Sequence, residues 1–176
     1  MAIQRIAVLG AGQMGNGITQ VAAAAGYDVI MIDIQQEYVD KGLATIQRSL
    51  GKLVSKERMS QEDADATLAR ISLATDRNVC ADCDLVVEAV PEILDLKTSI
   101  FAELDEICKP ETILASNTSS ISISTIADAT NRPDRVIGMH FMNPVPIMKL
   151  VEVINGDKTS TETNAAVIEA SATMGK

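Results

Sequence analysis

The feature that most restricts this chain is a glycine turn, Gly10-Ala11-Gly12-Gln13-Met14-Gly15, set between an apolar run and a helical pattern. The G-x-G-x-x-G spacing alone is a weak signal, and its surroundings make it specific. Arg5–Leu9 reads as a strand, and residues 12–25 show helical spacing up to a stop at Gly26. A second β-branched run, Asp28–Ile32, ends in Asp33, 21 residues after Gly12. The first third of the chain is therefore one βαβ unit. In such a unit Gly10 permits the tight turn, Gly12 lets the backbone approach a diphosphate, and Gly15 brings helix and strand together. Free N–H groups at the helix start, at Gln13 and Met14, meet the phosphate charge. Asp33 accepts hydrogen bonds from the adenosine ribose and repels a 2′-phosphate, and no arginine follows it directly. The expected cofactor is NAD rather than NADP, against the alternative of a glycine-rich turn with no ligand.

Beyond this unit, residues 36–70 are helical, with Leu43, Ile46, Leu50, Leu53 and Val54 forming an apolar stripe at spacings of three and four. Ser60 and Asp63 have the spacing of an N-cap pair that starts a second helix. The segment is too long for one crossover helix and reads as a helical hairpin projecting from the sheet. Strands are expected at residues 71–73, 85–87, 112–114, 136–139 and about 150–154, with helices at 94–107 and 121–127. Thr159 and Glu162 have capping-box spacing, which predicts a last helix to Met174 with Gly175 as its C-cap. The expected fold is α/β: a doubly wound, Rossmann-type, mostly parallel sheet with a helical hairpin after the second strand. Residues 1–176 are expected to form one NAD-binding domain.

Several function classes fall away on composition. An aromatic content of 2% without Trp gives no stacking platform for single-stranded nucleic acid, and a net charge of −9 repels polyanions. No apolar run approaches the roughly 20 residues that span a bilayer, and residues 1–5 lack a signal-peptide layout. Neither nucleic acid nor membrane is an expected partner, and the expected location is the cytoplasm. Three cysteines fit a reducing compartment. Cys80-Ala81-Asp82-Cys83 reads as C-x-x-C, but a zinc site lacks a second pair, with only Cys108 and one distant histidine to add. A structural role is the expectation, and no metal is expected.

Ligands of open α/β sheets bind outside the carboxyl ends of the strands. Three polar segments fall there: Glu88-Ala89-Val90-Pro91-Glu92, Ser116-Asn117-Thr118-Ser119-Ser120 and His140-Phe141-Met142-Asn143-Pro144. His140 is the only histidine. Removing a hydride from a secondary alcohol requires a base for the hydroxyl proton, and imidazole titrates in the right range. The order Ser119, His140, Glu152 also invites a hydrolase reading, but no G-x-S-x-G elbow surrounds Ser119.

Taken in order, the glycine turn, Val87-Glu88-Ala89-Val90-Pro91-Glu92, Ser116-Asn117-Thr118-Ser119-Ser120 and His140-Phe141-Met142-Asn143-Pro144-Val145-Pro146 resemble the L-3-hydroxyacyl-CoA dehydrogenases, especially the bacterial 3-hydroxybutyryl-CoA enzymes. The resemblance runs from the first strand to about Ile154. It implies hydride transfer between NAD and C3 of a short-chain (S)-3-hydroxyacyl-CoA. It further implies His140 as the catalytic histidine, Glu152 as its orienting partner, and Ser119 as a hydroxyl that bonds the substrate oxygen. By the same resemblance Glu92, Lys97, Asn117 and Asn143 line the nicotinamide half of the cofactor site, and Ser49 and Lys56 hold the CoA moiety. Lys97 as a solvated helix residue and Glu152 as an exposed strand carboxylate remain open.

Independently, Lys41, Arg48, Lys52, Lys56 and Arg58 cluster in an otherwise acidic chain, and Ser49, Lys52 and Lys56 share a helix face, although a solvated charged face has the same pattern. The resembling enzymes continue into a helical C-terminal domain that covers the acyl chain and forms the dimer contact. This polypeptide alone is expected to bind NAD, with turnover and homodimerisation weak without that domain. Two other readings stay open: a non-catalytic NAD-binding module, and a dehydrogenase of free 3-hydroxy acids or sugar acids.

Overall fold

Apolar runs of four residues explain the centre of the molecule. The structure, a computed structural model, describes residues 2–176; Met1, where the leader reading begins, lies outside them. Strands β1 (Arg5–Leu9), β2 (Asp28–Ile32), β4 (Leu85–Glu88), β5 (Ile113–Ser116) and β6 (Val136–Phe141) each carry four consecutive buried positions, as strands covered on both faces do. The edge strands β3 (Ile71–Ala74) and β7 (Val151–Asn155) are only half-buried. The order is β3-β2-β1-β4-β5-β6-β7. The strands from β1 to β6 pair in parallel, and β7 runs antiparallel to β6. The link between β6 and β7, residues 142–150, is shorter than the about twelve residues a parallel crossover takes, so the chain must fold back. The doubly wound, mostly parallel sheet expected from the sequence is the observed one. Its order reverses between β1 and β4, which places the crevice there.

Helices α1 (Gln13–Ala24), α4 (Leu94–Ile107), α5 (Ile123–Ala127) and α6 (Thr161–Thr173) cover the sheet. Two apolar layers result, one around Ile6, Ile18, Val87 and Met139, the other around Leu9, Phe101, Leu114 and Ile126. The hairpin is α2 (Gln36–Ser55) and α3 (Gln61–Ala69), with Ser60 Oγ accepting from the Asp63 N–H at 3.0 Å. Its apolar stripe buries Ile46 and Leu50, each worth roughly 1.5–3 kcal/mol. The hairpin does not stand clear of the body. Both helices pack on α1, and at Gly42 α2 comes so close to the glycine turn that a Cβ would lie 2.9 Å from the Ala11 carbonyl oxygen.

Some boundaries differ from expectation for local reasons. Strands β4, β5 and β6 run one or two residues further, so Glu88, Ser116 and His140 lie within strand ends rather than beyond them. Helix α6 is capped by Ser160, which accepts from the Thr163 N–H at 3.1 Å, and not by Thr159. The Thr159 hydroxyl is engaged elsewhere, donating to the Val136 carbonyl and accepting from the Gly156 N–H. Met174 forms the C-cap, and Gly175 follows it with φ +76°, the left-handed step that ends many helices.

Candidate active site

The three turn glycines answer to three different neighbours. Gly10 has φ +99°, and a Cβ there would meet the Ala89 carbonyl oxygen at 2.4 Å. A Cβ on Gly15 would lie 1.7 Å from the Gly10 carbonyl oxygen, so the helix can sit on the turn only without a side chain. We expect Gly15→Ala to lower unfolding stability by about 3 kcal/mol and to abolish NADH binding, measured by urea denaturation and fluorescence titration. Gly12 differs. Nothing lies within 4 Å of its would-be Cβ, and as N-cap of α1 it offers no side chain to the helix N–H groups. The protein gives no packing reason for glycine here. An approaching diphosphate does.

Asp33 ties this turn to β2. Its Oδ2 accepts from the Ala11 N–H at 2.8 Å, and its Oδ1 accepts from the Ile34 N–H at 2.7 Å. Each oxygen keeps a lone pair for a further donor. Three adjoining clefts run along the carboxyl ends of the strands. One of about 330 Å³ holds Asp33, Ile34, Arg77 and Glu103. A central one of about 700 Å³ holds the glycine turn, Lys41, Pro91 and Leu96. The third, of about 330 Å³, holds Met14, Glu92, Asn117, Ser119, His140 and Asn143. The expected cofactor residues other than the buried Gly15 line this trough of three adjoining clefts.

At the far end of the trough a buried carboxylate organises the strand ends. Glu88, fully buried, accepts from Lys97 Nζ at 2.7 Å, the Val90 N–H at 2.7 Å and Ser116 Oγ at 2.6 Å. Lys97 is buried too and also meets Glu92 at 3.2 Å, so it is not a solvated helix residue. Burial works to raise the Glu92 pKa, but hydrogen bonding from Thr118 and the charge of Lys97 outweigh it and hold the carboxyl below its usual range. Asn117 Oδ1 accepts from the Phe141 N–H at 2.8 Å, tying the loop after β5 to the end of β6. Asn143 Oδ1 accepts from Gln13 Nε2 at 3.1 Å, tying the loop after β6 to the start of α1.

The imidazole owes its partner to strand register. His140 and Glu152 stand directly opposite in the β6–β7 ladder, and His140 Nδ1 lies 2.9 Å from Glu152 Oε2. A carboxylate there accepts a hydrogen bond from Nδ1–H, which keeps the proton on Nδ1 and leaves Nε2 the basic nitrogen of the neutral ring. Glu152 is thus exposed but not idle. Ser119, exposed in the loop after β5, shares the cleft with His140.

Ser49 and Lys56 lie apart from this group. They line a separate cleft of about 360 Å³ between α2 and Pro144–Pro146, with Arg48, Lys52 and Arg58. Lys41 departs from the basic cluster in which the sequence places it and lines the dinucleotide trough instead. Cys80, Cys83 and Cys108 are free thiols in the core. Burial pushes Cys83 and Cys108 up to about 11 and Cys80 higher still, so none is a thiolate at neutral pH. Among the described residues no group of three His, Cys, Asp or Glu is placed to hold a metal, and no helix is long and apolar enough to cross a membrane. Sequence reasoning placed Glu88 and Thr118 in polar segments at the strand ends without giving either a role, and it did not bring Arg77 to the clefts it lines. A carboxylate closing the apolar run Leu85-Val86-Val87 was the available signal for the first.

Residues 5–176 match the family described as 3-hydroxyacyl-CoA dehydrogenase, NAD binding domain. The chain is 52% identical over 172 residues to a probable 3-hydroxybutyryl-CoA dehydrogenase of Deinococcus radiodurans, covering 98% of this chain and 62% of that protein. It is 48% identical to the protein so described in Bacillus subtilis, covering 100% and 61%. Its fold superposes on the crystal structure of (S)-3-hydroxybutyryl-CoA dehydrogenase from Ralstonia eutropha with a TM-score of 0.97, at 47% identity, over 99% of this chain and 62% of that one. The chain thus spans about three-fifths of these relatives' length. The trough, its open glycine and the family match agree, and this chain belongs to the 3-hydroxyacyl-CoA dehydrogenase family through its NAD-binding domain.

Proposed function

We propose that this chain carries the proton-handling and cofactor-binding half of a dehydrogenase that interconverts short-chain (S)-3-hydroxyacyl-CoA and 3-ketoacyl-CoA, as with 3-hydroxybutyryl-CoA and acetoacetyl-CoA. The observation that carries this reading is the His140–Glu152 pair at one end of a dinucleotide trough. Bound NAD would supply the acceptor for the C3 hydrogen and its electron pair. His140 Nε2 takes the hydroxyl proton as the carbonyl forms, and Glu152 stabilises the resulting imidazolium. In reduction the same nitrogen returns the proton. Ser119 donates a hydrogen bond to the substrate oxygen. Glu92, Asn117 and Asn143 orient the nicotinamide end, and Lys97 acts on it through Glu92. Gln13, Met14 and the three turn glycines hold the diphosphate, and Asp33 the adenosine ribose.

The cleft with Ser49 and Lys56 suits the CoA moiety, because Arg48, Lys52 and Arg58 supply positive charge for its phosphates. Homodimerisation belongs, in this reading, to a C-terminal helical domain, and a cytoplasmic setting accords with three free thiols.

Comparing turnover of acetoacetyl-CoA with free acetoacetate, on the chain joined to a C-terminal helical domain, tests the substrate class. We expect kcat/KM to favour the thioester by about 100-fold, since remote binding groups lower the barrier at the reacting carbon. Equal or better turnover of the free acid overturns the reading. Asp33→Asn should weaken NADH binding about tenfold while narrowing the gap to NADPH, because a charged acceptor for the ribose is lost. An unchanged ratio of NADH to NADPH affinity would show that Asp33 does not set the choice.

A further inference from the structure

We infer that Arg77 is a specificity residue for the adenine end of the cofactor, its guanidinium lying flat against the purine and held in place by Glu103. This inference rests on the NAD reading above. Five residues line both the adenosine-side cleft and the central cleft: Gly10, Asp33, Ile34, Val90 and Arg77. Arg77 is the one cation in that set. It opens the short 3-10 turn after β3, and its guanidinium forms an ion pair with Glu103 of α4, which also lines the adenosine-side cleft. The pair is half-open to solvent, and such pairs add little to folding. The placement of Arg77 in the lining of both clefts is what calls for an explanation.

The surrounding charges decide what Arg77 can do. A 2′-phosphate is an obvious partner for an arginine beside a ribose site, but Asp33 lines the same two clefts and repels it, and Glu103 already neutralises the guanidinium. What remains is a planar, weakly hydrated face, which stacks well on aromatic rings. Ile34, 70% exposed beside Asp33, and Val90 give the same space apolar walls that suit a purine. A planar cation paired with a carboxylate, in a cleft that Ile34 and Val90 also line, matches adenine better than it matches phosphate or nicotinamide.

Fluorescence and calorimetric titrations of the 176-residue chain with NADH, ADP-ribose and NMNH separate the possibilities. Arg77→Ala should weaken NADH and ADP-ribose by about fivefold each and leave NMNH unchanged. Arg77→Lys should bind NADH as weakly as Arg77→Ala, because an ammonium keeps the charge but not the plane. Unchanged NADH affinity in Arg77→Ala, an equal loss for NMNH, or full rescue by Arg77→Lys overturns the inference while leaving NAD binding intact. Failure of the unsubstituted chain to bind NADH and ADP-ribose would overturn both. A melting curve for Arg77→Ala matching that of the parent chain excludes a folding defect as the cause.

Discussion

Replacing His140 by Gln lowers turnover of acetoacetyl-CoA by about 10²–10⁴-fold and leaves NADH affinity nearly unchanged, measured on the chain joined to a C-terminal helical domain. The size of the loss follows from the role. Proton transfer by a positioned side chain contributes that range, and glutamine keeps the ring's approximate size and polarity without its basicity. The split between turnover and affinity follows from position, because His140 lines the cleft at the opposite end of the trough from the one that holds Asp33. A non-catalytic NAD-binding module predicts no such loss, so full turnover by His140→Gln would decide for that reading. In the proposed role the ring also needs Glu152, whose carboxylate accepts a hydrogen bond from Nδ1–H across the β6–β7 ladder.

The second large effect concerns folding. Lys97→Met leaves the Glu88 carboxylate fully buried with no opposing charge, and breaking a buried pair from one side costs roughly 3–5 kcal/mol. For a domain of this length that corresponds to a melting temperature roughly 6–20 °C lower. The hydrogen bonds from the Val90 N–H and Ser116 Oγ survive the substitution but were made to a neutralised group. The double variant Glu88→Gln, Lys97→Met should recover most of the loss, because a neutral amide needs no counter-charge and the methionine fills the space of the lysine stem. Urea denaturation of the parent, the single and the double variants gives the comparison. A single variant as stable as the parent would show that the Glu88–Lys97 pair does not matter to the fold.

The parts of this molecule that were legible in its sequence are those decided by neighbours in the chain. Strand β1, the glycine turn, α1 and β2 follow from apolar runs, a helical period and glycines at fixed offsets. The Ser60 cap of α3 follows from a serine three residues before an aspartate. Pairings that depend on register or topology were not legible in local patterns, and the resemblance alone implied Glu152 as the partner of His140. His140 meets Glu152 because β7 turns back on β6 with those two residues opposite, which no local pattern encodes. Glu88, Lys97 and Ser116 meet because adjacent parallel strands end at the same level and α4 drops a lysine between them. Arg77 joins Asp33 in lining two clefts from the turn after β3, although nothing near Asp33 in sequence announces an arginine. The resemblance named the residues around the nicotinamide, but the buried carboxylate that holds their strand ends together appears only in three dimensions.

The most direct measurement is a crystal structure of the chain grown with saturating NADH. The account predicts the diphosphate against Gly12 and the start of α1, the adenine beside Arg77, and the nicotinamide in the cleft of Glu92 and Asn117. Room for one substrate carbinol should remain between the ring and His140 Nε2. An empty trough, or a nicotinamide bound away from His140, would contradict it.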